Sequence, residues 1–131
     1  MPDAESYLEQ AMAFWEVAQT AHDPQHTSQA ASNAVLAAIA ANDAVVFRLK
    51  GTVKKRRAHE EAGRALQEAC RGSRWEQDAK QRVRQLTEIL AIKNAAQYEG
   101  ERLRARDLER IMLQTERFIQ WAARVVEDQS A

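Results

Sequence analysis

A chain of 131 residues is large enough for one packed core without staples, and its single cysteine, Cys70, excludes an internal disulfide. Hydrophobic residues at 45% and charged residues at 29% exclude a globally disordered chain, while Gly 4 and Pro 2 are too few for a turn-rich all-β fold. Formal net charge is +0, so bulk attraction for polyanions is excluded and any nucleic-acid contact must rest on a local basic patch.

A first helix is expected from Ala4 to about Thr20, with Asp3 as N-cap behind Pro2. Leu8, Ala11, Met12, Trp15 and Ala18 recur at three-and-four spacing and predict one buried stripe. Tyr7, Phe14 and Val17 widen that stripe, as a helix touching two neighbours or a second subunit would need. The acidic start (Asp3, Glu5, Glu9) has no apolar segment behind basic residues, so no secretory leader is expected.

The segment His22-Asp23-Pro24-Gln25-His26 breaks the pattern, and both histidines read as loop residues. A second helix restarts near Pro24 or Thr27 and runs to about Lys50, with Gly51 placed as C′. Val35, Ala38, Ile39, Asn42, Val45, Val46 and Leu49 share a face, and the many alanines suit the central helix of a bundle. The apolar run Ala34 to Ala41, bounded by Asn33 and Asn42, is far below the ~20 residues of a membrane span. A cytoplasmic protein without membrane contact is the expectation.

Thr52 to Arg57 reads as a loop or a frayed helical turn. A third helix is expected over Ala58 to Arg71 on Ala62, Leu66 and Ala69, ended by Gly72. Ser73-Arg74-Trp75-Glu76 reads as a capping box, the serine reaching the third amide and the glutamate reaching back. A fourth helix follows to about Gln97 on Ala79, Val83, Leu86 and Leu90, with Ile89 and Ile92 alongside. After a link around Gly100, a fifth runs from Ala105 to Glu127 on Leu108, Ile111, Met112, Thr115, Phe118, Ile119, Ala122 and Val126, and the tail past Asp128 is expected to fray. Residues 1–131 therefore predict a single all-α domain, an antiparallel bundle of about five helices.

Chemistry concentrates around Gly51. Arg48, Lys50, Lys54, Lys55, Arg56 and Arg57 crowd there, with no acidic residue between Asp43 and Glu60. Such a cluster suits phosphate, RNA being one polyanion that carries it, and equally suits a solvated loop at a helix C-terminus. His59 ends the basic run. An imidazole titrating near neutrality can take a ribose 2′-hydroxyl proton or protonate a leaving oxygen, and neighbouring cations stabilise charge on the phosphoryl oxygens. In the other reading His59 simply begins the third helix.

Asn42 and Asp43 interrupt an apolar face, where polar groups are costly unless satisfied, and both are expected to be partnered. Lys93 continues the stripe of the fourth helix, so an Asp43–Lys93 pair across the bundle is one solution; a hydrogen bond from Asp43 to the Gly51-to-His59 loop or to a neighbouring helix end is the other. No metal site or cofactor is expected. The chain has no CxxC, no HExxH, no paired ExxH and no glycine-rich phosphate loop, and Cys70 reads as a small interior residue.

The segments AAIAANDAVVFRLKG, HEEAGRAL and LAIKNAAQYEGERLRARDLERIMLQTERFIQWA resemble the HEPN superfamily (higher eukaryotes and prokaryotes nucleotide-binding), most closely its small stand-alone bacterial members. The shared order is an alanine-rich helix with an acidic residue, a glycine-plus-basic loop ending in histidine, and a Lys-to-Tyr stretch before the last helix. The resemblance spans roughly residues 28 to 125. It implies a homodimeric helical bundle that binds RNA or nucleotide, many members being metal-independent ribonucleases of toxin or defence type. Their Arg-x(4–6)-His motif meets its twin across the dimer cleft.

His59 matches the motif histidine. The arginine is not matched: Lys54 stands at the shortest spacing, Val53 and Thr52 at the longer ones, and Arg56 and Arg57 lie too close. Lysine lacks arginine's planar fork. The implied catalytic set is His59, Lys54 and Asp43, with Arg48, Lys55, Arg56 and Arg57 on nucleic acid and Asn42, Lys93 and Tyr98 in support. The unmatched arginine keeps a second expectation open: a non-catalytic helical module that dimerises and binds a protein partner such as a nucleotidyltransferase-type antitoxin.

Overall fold

A computed structural model describes residues 3–20, 27–54, 61–98 and 103–128, without the side chains of 95–98. These residues form five helices: α1 (Ala4–Thr20), α2 (Thr27–Lys50), α3 (Glu61–Cys70), α4 (Glu76–Tyr98) and α5 (Ala105–Glu127). The chain is an all-α bundle, as its patterning predicts. The expectations for His22, His26, Ala58, Gly100 and the tail past Asp128 lie outside the described residues.

The centre of the bundle is α2, which touches each of the other four helices. Ala37 to Asn42 are six consecutive buried residues, so at that height the helix has no outward face. Alanine makes this possible, because a methyl side chain lets neighbouring backbones come close on every side. α2 is long and apolar enough to cross a membrane, yet 72% of its apolar window is buried inside the bundle. Helix packing uses that surface.

Side chains at the helix ends fix the directions. Thr27 Oγ1 donates to the Leu103 carbonyl at 3.3 Å, joining the start of α2 to the start of α5. At the other end Arg48 Nε–H donates to Val126 O at 3.3 Å and its Nη2–H to Asp128 O at 2.5 Å. These two helices are therefore parallel. α1 folds back along α2, with the Tyr7 ring 5.8 Å from Phe47. α5 runs antiparallel to α4, Trp121 lying level with Asp78 and Gln114 with Gln85.

The caps explain where the helices stop. Asp3 Oδ1 accepts both the Ser6 hydroxyl and the Ser6 amide at 2.7 Å, bonds that hold its carboxyl below the usual range. Gly51, at φ +77, donates its N–H to Phe47 O at 2.7 Å, the left-handed ending expected of C′. The capping box differs from expectation. Ser73 Oγ accepts the Trp75 amide at 3.1 Å rather than the third one, and Glu76 Oε1 accepts from Gly72 rather than Ser73. The reason is that the turn continues through Trp75, so Glu76 opens α4 instead of standing third in it.

Two packing expectations need correction. Met12 and Val17 are exposed, at 42% and 52%, and α1 buries Ala4, Ala11, Trp15 and Ala18. Small residues on α1 meet the small residues of α2, and a close helix pair buries a narrow stripe. The widening by Tyr7 and Phe14 is absorbed within the chain, since both pack on the core and α1 touches α2 and α5. On α5 the stripe omitted Trp121, which is fully buried in T-shaped contact with Trp75 (6.3 Å) and Phe118 (5.8 Å). The link before α4 brings Trp75 against α5 and gives that helix a second buried side.

Candidate functional site

α3 is anchored to the middle of α2 by Asn42, whose Nδ2–H donates to the Ala62 carbonyl at 3.1 Å. Eight residues of α2 still remain beyond Asn42, about 12 Å of helix, so α3 begins level with the middle of α2 rather than with its end. α3 then climbs beside the last turns of α2. Between them lies a groove of about 510 Å³.

Val46, Val53, Ala65 and Ala69 supply the apolar walls of this groove. Lys50, Lys54 and Arg64 bring positive charge to it, and Glu61 and Glu68 bring carboxylates. Glu61, Arg64, Ala65 and Glu68 follow the three-and-four spacing of one helical face. The mixture can hold a phosphate against an ammonium or guanidinium while an apolar ring lies on the walls, and its carboxylates set a limit on the affinity for bare polyanion.

The expected site residues divide clearly. Lys54 is exposed at the groove wall. Asp43 is half-buried one turn before Val46 and two before Lys50, on the groove-facing stripe of α2. Asn42, buried, holds α3 rather than the groove lining, and its Oδ1 is buried without a hydrogen-bond partner. Arg48 is turned away from the groove, its guanidinium bound to the C-terminal carbonyls of α5. Lys93 is half-buried on α4 and is not part of the groove lining.

Among the described residues no ion pair joins Asp43 to Lys93. α3 is wedged against both α2 and α4, and the polar need at the centre of α2 is met by the Ala62 carbonyl through Asn42. His59, Lys55, Arg56, Arg57 and the Tyr98 side chain lie outside the described residues. The residues on either side of the 55–60 segment, Lys54 and Glu61, both line the groove.

Arg64 and Glu68 escaped the sequence reading. Their signal was the spacing from Glu61 on a helix whose buried face, Ala62, Leu66 and Ala69, was already marked. Cys70 is fully buried, and burial, together with the carboxylates of Asp78 and Glu76, pushes its thiol up to about 11. A thiol so placed is a packing group rather than a nucleophile at neutral pH. Among the described residues no three His, Cys, Asp or Glu side chains group closely enough to hold a metal ion.

Comparison with known proteins returns nothing: no family model, no curated protein and no solved structure matches this chain.

Proposed function

We propose that this chain is a HEPN-like, homodimeric, cytoplasmic RNA-binding protein that cleaves RNA without a metal ion, using His59. One observation carries the reading: the 55–60 segment, with His59 and three cations, is bounded on both sides by groove-lining residues, Lys54 and Glu61. The sequence resemblance supplies the family.

In this mechanism His59 takes the proton of a ribose 2′-hydroxyl, whose oxygen attacks the adjacent phosphorus. The bond to the 5′-oxygen breaks, that oxygen takes a proton from the resulting imidazolium, and a 2′,3′-cyclic phosphate remains. Lys54, Lys50 and Arg64 face the phosphate and Asp43 orients the basic segment. Lys55, Arg56 and Arg57 extend the contact along the RNA backbone.

The test is incubation with RNA in excess chelator, beside a His59→Ala variant. Cleavage by wild type and none by the variant is expected. Intact RNA in both reactions removes the nuclease.

A second reading has its own support. Met12, Val17 and Leu36 expose apolar side chains on the α1–α2 hairpin, and the motif arginine is unmatched. These features suit a non-catalytic module that binds a protein partner of antitoxin type. Retention of RNA on the purified protein at low salt discriminates, because the module retains none.

A further inference from the structure

A separate cluster of positive charge sits on the seam between α4 and α5. Arg117, Trp121 and Arg124 share one face of α5 at spacings of four and three. Arg82 of α4 reaches over that face, its guanidinium 5.6 Å from the Trp121 ring centroid. Among the described residues no ion pair reaches Arg82, Arg117 or Arg124. The nearby carboxylate, Asp78, is engaged by the Trp121 indole, whose Nε1–H donates to Oδ2 at 3.3 Å.

The Arg82 head group is held in place from the α4 side. Its Nη1–H donates to Gln85 Oε1 at 2.9 Å, Gln85 Nε2–H donates to Gln114 Oε1 at 3.0 Å, and Gln114 Nε2–H donates to Glu88 Oε2 at 3.3 Å. Glu88 is in turn paired with Arg110, so that acid is not available to the cluster. Arg82 Nε is buried without a hydrogen-bond partner. Burial first, and then the charges of Arg124 and Arg117, lower the pKa of Arg82 against the pull of Asp78. Arg82 is thus a partly desolvated, fixed cation beside two like charges that Asp78 offsets only in part.

We propose that the α4–α5 seam is a phosphate-binding site formed by Arg82, Arg117 and Arg124 over Trp121. Stacking and the glutamine relay pre-orient the Arg82 fork, so a phosphate docks without ordering that side chain, while the exposed Arg117 and Arg124 close on it from α5. The phosphate belongs either to a free phosphorylated ligand or to the backbone of a nucleic acid. This site shares no residue with the α2–α3 groove and stands independently of the ribonuclease reading.

Calorimetric titration with diphosphate, and in parallel with a short single-stranded RNA at low salt, tests it on wild type, Arg82→Gln and the exposed double variant Arg117→Gln/Arg124→Gln. Wild type is expected to bind at least one probe, and the double variant to lose about tenfold or more in affinity at unchanged melting temperature. Diphosphate binding that the double variant loses, without RNA binding, assigns a free phosphorylated ligand. Loss of RNA binding by a variant with intact Lys54 and His59 assigns a backbone phosphate. Wild type that binds neither probe, or a double variant that binds as wild type does, overturns the site.

Discussion

Asn42 Nδ2 donates to the Ala62 carbonyl across 3.1 Å of bundle interior, and this one bond sets the height at which α3 meets α2. Both groups are shielded from water, but the Ala62 carbonyl also lies in the first turn of α3, within reach of the Leu66 amide, so Asn42→Ala removes one buried hydrogen bond at a cost of ~0.5–1.5 kcal/mol. The expected loss lies toward the lower end, because the variant also removes the unpartnered Oδ1. Urea unfolding measures it, and amide exchange should rise in the first turn of α3 more than in α5.

Arg48, which the sequence groups with the basic cluster, clamps the end of α5. Its two bonds to Val126 O and Asp128 O satisfy carbonyls that the end of α5 would otherwise leave open, with a cation at the favourable end of the dipole. Arg48→Met should destabilise the fold by ~1–2 kcal/mol. RNA affinity, measured well below the melting temperature, should change less than in Lys54→Gln.

Much of the fold was legible because its causes are local. Asp3 and Gly51 mark helix ends by chemistry that neighbouring residues complete, and the stripes of α3 and α5 follow from period. What could not be read depends on partners distant in the chain. Trp121 gained a buried side from Trp75, far off in sequence. Met12 lost one because alanines drew α1 and α2 together. Charge counts located the basic cluster and grouped Arg48 with it, since composition says nothing of the direction in which a guanidinium points. Groove residues Arg64 and Glu68 carry no motif and are defined by what packs opposite them.

Trp121 is enclosed by Trp75 and Phe118, with its indole N–H held by Asp78. Truncation to alanine should cost ~3–5 kcal/mol through the cavity and lost contact area. Trp121→Phe keeps most of the packing but drops the hydrogen bond, and should cost about half as much. Thermal unfolding of the two variants separates volume from polarity.

Cys70 makes stability depend on pH in the alkaline range. Its thiol titrates at about 11 in the fold against 9.0 as an unperturbed group. Between these values the unfolded chain has released the proton and the native one retains it, so stability falls as pH rises. The fall begins near 9.0 and is complete near 11, amounting to ~2–3 kcal/mol. Cys70→Ala should flatten the profile of stability against pH over that interval. At pH 8 a thiol reagent should label the native protein at the rate of unfolding.

The groove cations offer the sharpest separation between binding and chemistry. Lys50 and Lys54 both line it, are exposed, and have no part in the core, so replacing both with glutamine should leave the melting temperature unchanged. If they contact RNA phosphates, each removes one released counterion, and the slope of log affinity against log salt should fall by ~1–2. His59→Ala should leave that slope nearly intact while abolishing cleavage, because a proton-transfer group contributes little to backbone attraction. A double-lysine variant with the wild-type salt slope places the RNA elsewhere, and the arginine seam between α4 and α5 is then the surface to mutate next.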